Sequence, residues 1–285
     1  MKAFITGADG ALGTAMQNVL HRENIPFVAT DIKQMDIADY KQVNGTLLKH
    51  RPDAILHFAA VSNVDTCEQE KDLAFRVNAL GTLGLATISR KIGAKFLYIS
   101  TNFIFDGTQD EPYTEYATPN PVNEYGRTKL LGEQYVRDTC DRFFIVRTSW
   151  LFGARSKTFI SRFIQDDNKP ASINVICDQF ASFTYTTDLA DAIAHIIKSE
   201  NYGVYHLTNK GMGSWLDFAI EAQKLLKFKT KINAVKTEEL DLAAARPRYT
   251  PLATHSYPFL FNRSTRPWEQ ALAEYTKHRS TARTP

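Results

Sequence analysis

A chain of 285 residues with 44% hydrophobic and 23% charged residues has room for one large domain or two modest ones, and its composition is that of a folded protein rather than a disordered one. The 34 basic and 31 acidic residues leave a formal charge of +3, too even a balance to make a nucleic-acid-binding surface the first expectation. No apolar run approaches the ~18 residues of a membrane span, and residues 1–6 carry no basic region leading into an apolar stretch, so neither a membrane anchor nor a secretory signal is expected.

Residues 2–6 (KAFIT) predict a buried strand, 7–13 a glycine-rich turn, and 14–22 a helix with Met16, Val19 and Leu20 on one face. A second strand is predicted at 26–30, a helix at 40–50 ended by Arg51-Pro52, a third strand at 54–58, a long helix at 72–92, and a fourth strand at 95–100. A helix at 123–138 and a strand at 143–148 complete this half. Short continuous apolar strands separated by helices are the pattern of a parallel sheet covered on both faces. The second half is less regular. It predicts a strand at 173–176, a helix at 187–198, a strand at 203–207, a helix at 215–226 capped by Ser214, a strand at 230–235, an irregular stretch at 258–267 and a last helix at 268–275.

Three scattered cysteines, Cys67, Cys140 and Cys177, form no CxxC pair, and no two of the seven histidines stand three or four apart. Neither a disulfide frame nor a metal site is expected, and a reducing, cytoplasmic setting fits.

The turn after the first strand reads Gly7-Ala8-Asp9-Gly10-Ala11-Leu12-Gly13, a GxxGxxG pattern that opens a helix. Glycines there permit a tight turn, let backbone approach a pyrophosphate, and let the helix pack close to the strand. The amides at the helix start, from Ala11 and Leu12 onward, then face the phosphates. Asp31 ends the second strand about 20 residues further on, where a carboxylate accepts from the adenosine ribose hydroxyls and repels a 2′-phosphate. NADH is therefore favoured over NADPH, although Lys33 is a cation able to turn toward such a phosphate. Asp36 and Ile37 are either a flank for the adenine or an ordinary loop. The expected architecture is α/β. A Rossmann-type doubly wound parallel sheet spans residues 1–150, extended by 187–207, with a smaller α/β substrate-binding domain made mainly of 151–285.

Tyr125 and Lys129 stand four apart on a predicted helix and share one face, one turn apart. Ser100-Thr101 closes the fourth strand, at the edge where open parallel sheets bind ligands. A phenol titrates near ~10, and a neighbouring ammonium is expected to draw it toward neutrality. Such a tyrosine gives a proton to a carbonyl oxygen as hydride reaches its carbon. Thr101 hydrogen-bonds the same oxygen, and Lys129 also binds the nicotinamide ribose.

The segments TGADGALG (6–13), HFAAVSNVDTCE (57–68), VNALGTLGLA (77–86), YISTNFIFDG (98–107), NEYGRTKLLGE (123–133), FIVRTSWLFG (144–153), DQFASFTYTTDLA (178–190) and ARPRYTPL (245–252) resemble the extended short-chain dehydrogenases/reductases, and within them the dTDP-4-dehydrorhamnose reductase family. The resemblance covers nearly the whole chain. It implies reduction of the 4-keto group of a dTDP-linked 6-deoxy sugar by NADH or NADPH, with Thr101, Tyr125 and Lys129 as catalytic residues and Gly7, Gly10 and Gly13 as the phosphate turn. It further implies that Ala59 and Ala60 line the cofactor channel, that Trp150 packs on the sugar, and that Arg246 is a candidate for the substrate diphosphate. Asn78 is either a support for the cofactor loops or a helix-packing residue.

The chain also departs from the family. Asn102-Phe103 stands where Asp-Tyr is usual, so Phe103 offers the sugar no hydroxyl, and Ala181-Ser182-Phe183-Thr184 replaces a Gly-Ser-Pro-Thr segment. Some relatives dimerise around magnesium through carboxylates of the first helix. Residues 14–20 hold none, so that metal is not carried over, while a homodimer stays open. Three other readings remain: a reductase for a different nucleotide-linked keto sugar, a non-catalytic dinucleotide-binding regulatory subunit, and an epimerase or dehydratase. A dehydratase would need a carboxylate pair that Thr101-Asn102-Phe103 does not supply.

Overall fold

The computed structural model describes residues 1–156 and 170–281. In the first half β1 (Ala3–Thr6) leads into α1 (Ala11–Arg22), β2 (Phe27–Thr30) into α2 (Tyr40–His50), and β3 (Ala54–His57) into α3 (Val64–Gln69) and α4 (Lys71–Ala74). A π-helical stretch, Phe75–Gly81, joins α4 to α5 (Thr82–Ile92). β4 (Lys95–Thr101) ends in a 3-10 turn at Asn102–Ile104, and α6 (Glu124–Thr139) precedes β5 (Phe143–Thr148).

The second half holds the short strands β6 (Leu151–Phe152), β7 (Ser172–Ile176), β8 (Phe180–Ala181) and β9 (Thr184–Tyr185), then α7 (Thr186–Ile196) and β10 (Gly203–His206). β11 (Gly213–Ser214), α8 (Trp215–Leu226), β12 (Lys231–Val235), β13 (Tyr249–Thr250), α9 (Ser256–Phe261) and α10 (Trp268–Thr281) follow. Ser214 and Asp217 form a reciprocal capping box on α8, as the serine before that helix predicts.

Six strands make one parallel sheet in the order β2-β1-β3-β4-β5-β10. Strand order reverses between β1 and β3, and the crevice beyond their carboxyl ends is where doubly wound sheets hold ligands. Alternation along each strand feeds two cores. Ala3, Ile5, Leu56, Leu97 and Val146 pack with Met16, Leu20, Leu189 and Ile193 of α1 and α7. Phe4, Ile55, Phe96, Tyr98 and Ile145 pack on the other face with Val43, Leu47, Leu85 and Ile88. A third, aromatic core of Phe152, Phe183, Tyr185, Phe218, Trp268 and Tyr275 belongs to the second half.

Two expectations need correction. Residues 256–261 form α9, which runs into the stretch read as irregular at 258–267, because Pro258 falls in the helix's first turn, where a missing N–H costs nothing. The long helix read at 72–92 is helical but interrupted by the π stretch, which ends α4 early and turns Asn78 inward. The sequence reading also passed over α3, although Asn63 caps it by accepting from the Thr66 amide at 2.8 Å. Among the described residues no helix is long and apolar enough to cross a membrane.

Candidate active site

Gly7 ends β1 with φ +68°, and a Cβ there would lie 2.7 Å from the Ala59 nitrogen at the end of β3. A Cβ on Gly13 would lie 2.3 Å from the Gly7 carbonyl oxygen. Only glycine therefore lets the turn, the start of α1 and the end of β3 meet at the switch point. Gly10 caps α1 without any side chain, and no acidic residue occupies the helix's first turn, so the positive end of the helix faces the crevice. Leu12 is buried, which leaves its backbone rather than its side chain for a ligand, while Ala11 is partly exposed. These features fit a dinucleotide pyrophosphate.

Asp31 stands at the mouth of the same crevice. Its carboxylate accepts from the Asp9 amide at 3.0 Å and from the Ile32 amide at 2.8 Å, so it is tied to the phosphate turn. Lys33 is exposed. Asp36 folds its carboxylate onto the Ala38 amide at 2.9 Å, and Ile37 is buried beside Gly81. Ala59 and Ala60 are partly exposed beyond β3.

Beneath the turn lies a polar chain of which the sequence pointed only to Asn78. The Thr82 hydroxyl donates to the Asn78 carbonyl at 2.7 Å, so it must accept from His57 Nε2 at 3.0 Å. His57 Nδ1 is then the acceptor for the Thr6 hydroxyl at 2.8 Å. Burial, and secondarily the charge of Lys129, hold His57 well below its ordinary titration, which keeps it neutral. The Asn78 side chain grips Val61 through both backbone groups, at 2.9 and 3.1 Å, and donates to Thr128 Oγ1 at 3.2 Å. It thereby ties the loop after β3 to α6. Thr6 and His57 show in the sequence only as polar residues closing otherwise apolar strands.

α6 carries Tyr125 and Lys129. Asn123 caps it, accepting from the Gly126 amide at 2.9 Å while its own amide donates to the Ala245 carbonyl of the second half at 2.9 Å. A Cβ on Gly126 would sit 2.1 Å from the Phe103 oxygen, so glycine here lets α6 lie against the end of β4. That approach brings Tyr125 close enough to the Thr101 hydroxyl for the hydroxyl to favour the phenol's ionised form. Lys129 is buried, with Nζ 4.1 Å from the centre of the Tyr98 ring, and the Tyr98 hydroxyl donates to the Lys129 carbonyl at 3.1 Å.

The electrostatics reverse one expectation. Burial pushes the Tyr125 phenol up to about 12, against the pull of the Thr101 hydroxyl, rather than down toward neutrality. The amine yields instead: burial brings Lys129 down to about 7, opposed by Glu133 one turn on. Loss of hydration at the buried Lys129 and around the half-buried Tyr125 outweighs the attraction the sequence spacing led one to expect. Glu133 is itself fully buried and paired with Arg147 of β5 through two bonds, at 2.9 and 2.8 Å.

Of the residues read as sugar contacts, Phe103 at the end of β4 lies against Tyr125. The Phe103 ring meets Tyr125 edge-on, with centroids 5.9 Å apart. Trp150, at φ 35°, holds a conformation strained for a bulky side chain. It stacks on Trp215 at 4.0 Å and meets the Phe183 ring at 5.3 Å, and it stays partly exposed. Phe183 lies in the aromatic core, while the Ser182 hydroxyl accepts from the Leu252 amide at 3.1 Å. The Arg246 guanidinium donates to Asp65 at 2.7 Å and to the Ala244 carbonyl at 2.8 Å; against burial, the Arg246 bond and the Ala244 amide, which donates to Asp65 at 3.0 Å, hold the Asp65 carboxyl below its usual range.

A family model described as the RmlD substrate binding domain matches residues 1–281. With the doubly wound sheet and the glycine turn at its switch point, this makes the chain an oxidoreductase of the extended short-chain dehydrogenase/reductase class, working with a nicotinamide dinucleotide. The spore coat polysaccharide biosynthesis protein SpsK of Bacillus subtilis is 35% identical over 283 residues, covering 99% of both chains. A dTDP-4-keto-6-deoxy-D-glucose reductase of Streptomyces niveus is 34% identical over 95% of each. The structure of a dTDP-4-dehydrorhamnose reductase from Bacillus anthracis, in complex with NADP, is 37% identical and superposes with a TM-score of 0.94 over 97% of this chain and 99% of that one. The chain belongs to the dTDP-4-dehydrorhamnose reductase family.

Proposed function

We propose that this protein reduces the 4-keto group of a dTDP-linked 6-deoxy sugar, dTDP-4-dehydrorhamnose in the first place. What carries the reading is the approach of α6, with Tyr125 and one turn on Lys129, to the end of β4 at Thr101, on the same carboxyl edge of the sheet as the glycine turn two strands away. The cofactor half is residues 1–150 with 187–207, and the sugar half is mainly 151–285.

Gly7, Gly10, Ala11, Leu12 and Gly13 hold the pyrophosphate through backbone, with Ala59 and Ala60 along the channel and Asp36 and Ile37 near the adenine. A bound nicotinamide supplies hydride. Tyr125 stays protonated through the working range and delivers that proton to the carbonyl oxygen, a form of help worth roughly 10²–10⁴-fold. Thr101 orients the same oxygen. Lys129 binds the nicotinamide ribose and, while it keeps its own proton, stabilises the phenolate that Tyr125 becomes. The exposed part of Trp150 and the Phe103 ring flank the sugar. Arg246, steadied by Asp65, turns a remaining edge to the diphosphate.

Asp31 favours NADH, because its carboxylate is fixed beside the phosphate turn, where a 2′-phosphate would meet it. Stronger thermal stabilisation by NADPH than by NADH at equal concentration would contradict that preference. One observation supports a second reading, the same chemistry on another nucleotide sugar. Phe103 covers the edge of Tyr125 without a hydroxyl. Product analysis over a panel of dTDP-, UDP- and GDP-linked 4-keto sugars separates the two. Highest turnover on dTDP-4-dehydrorhamnose is expected, and turnover confined to UDP or GDP sugars would remove the rhamnose assignment.

A further inference from the structure

Asn102, next to Thr101, has no part in the chemistry above, yet it is 1% exposed and its amide is engaged at both ends. Nδ2 donates to the Thr250 hydroxyl at 2.7 Å, and Oδ1 accepts from the Thr101 hydroxyl at 3.3 Å. The first contact is short and the second lies near the outer limit of a hydrogen bond. Thr250 is buried and closes β13, which pairs with β8, so Asn102 is seated firmly on the second half and loosely on the threonine of the first.

The Thr101 oxygen already accepts the Phe103 amide at 3.2 Å and has one hydrogen to give. In the structure that hydrogen goes to Asn102 Oδ1, while Tyr125 stands close enough to feel the same hydroxyl and to be its other acceptor. When Thr101 gives its hydrogen to Asn102, its remaining lone pair takes the Tyr125 proton, which then points away from a ligand. When it gives to Tyr125, the phenol's proton is released toward the crevice.

We propose that Asn102 is a positioning residue: anchored on Thr250 across the boundary between the two halves, its amide sets the direction of the Thr101 hydroxyl and so couples the seating of the second half to proton delivery by Tyr125. This rests on the reading of Thr101 and Tyr125 as the reacting pair.

The test compares Thr250→Val, Thr250→Ser, Asn102→Ala and the double variant Asn102→Ala/Thr250→Val, assayed with dTDP-4-dehydrorhamnose and NADH or NADPH, with Tyr125→Phe as control and melting curves as a check on folding. Thr250→Val fills the same space and removes only the anchor. It is expected to lower kcat about tenfold, the scale of one hydrogen bond, with both KM values within about twofold. Thr250→Ser restores the rate, and the double variant is no slower than Asn102→Ala alone. Folded Thr250→Val and Asn102→Ala proteins with unchanged kcat, or losses that multiply in the double variant, would overturn the coupling. If Tyr125→Phe itself turned over normally, the reading of the reacting pair would fall first and the coupling with it.

Discussion

Lys129 and Tyr125 show how far a spacing in sequence determines chemistry. Two residues four apart on a helix share a face, and that much was legible. Which of the two gives way was not, because it depends on burial that only the packed sheet, Tyr98 and the Glu133–Arg147 pair create. Lys129 holds its proton to about pH 7 in the fold, against 10.5 for an ordinary lysine. Between those values the unfolded chain binds more protons, so stability from this group rises with pH; below about 7 the full cost of a buried ammonium is present. Lys129→Met is therefore expected to stabilise the protein most at pH 6, with the gain shrinking toward pH 10. Denaturant unfolding across that range checks it, and a gain that grows with pH would contradict the burial of the charge. In the unaltered enzyme, kcat/KM should fall as pH rises past about 7.

The elements that build the site were largely readable, and the misses have physical causes. β5, α2 and α8 fall where the apolar pattern puts them, since each has a clean face or a clear cap. α1 begins at Ala11 rather than 14, because glycines that weaken a helix are required there by the approach of Gly7 and Ala59. The partnership of Thr6 with His57 and of Asn102 with Thr250 crosses 51 and 148 positions, and no local pattern encodes it. Gly126 tests the element scale. Its missing side chain sets the distance from α6 to the end of β4, so Gly126→Ala must push the helix off the Phe103 carbonyl. A loss of ~1–3 kcal/mol in stability is expected from overpacking, with turnover down ~10²-fold from displacement of Tyr125. Equilibrium unfolding and steady-state rates measure both, and an unchanged rate would mean that the helix position is not critical.

Across the whole molecule, the second half joins the first through β10 and α7 and, nearer the reacting groups, through polar contacts. Asn123 reaches Ala245, Asp65 holds Arg246, and Asn102 holds Thr250. The sheet supplies the switch point beside the glycine turn, and Trp150, just past the end of β5, packs on the aromatic core of the second half. The family was legible from motifs spread along the chain, whereas the direction in which each side chain points required the two halves together. The most direct test of this arrangement is the oxidation of NADH or NADPH by the purified protein with dTDP-4-dehydrorhamnose, run beside Tyr125→Phe. The unaltered protein should consume cofactor and form the 4-hydroxy sugar, and the variant should bind cofactor equally but turn over at least ~10²-fold more slowly. No consumption with either cofactor, or a variant as fast as the parent, would contradict it.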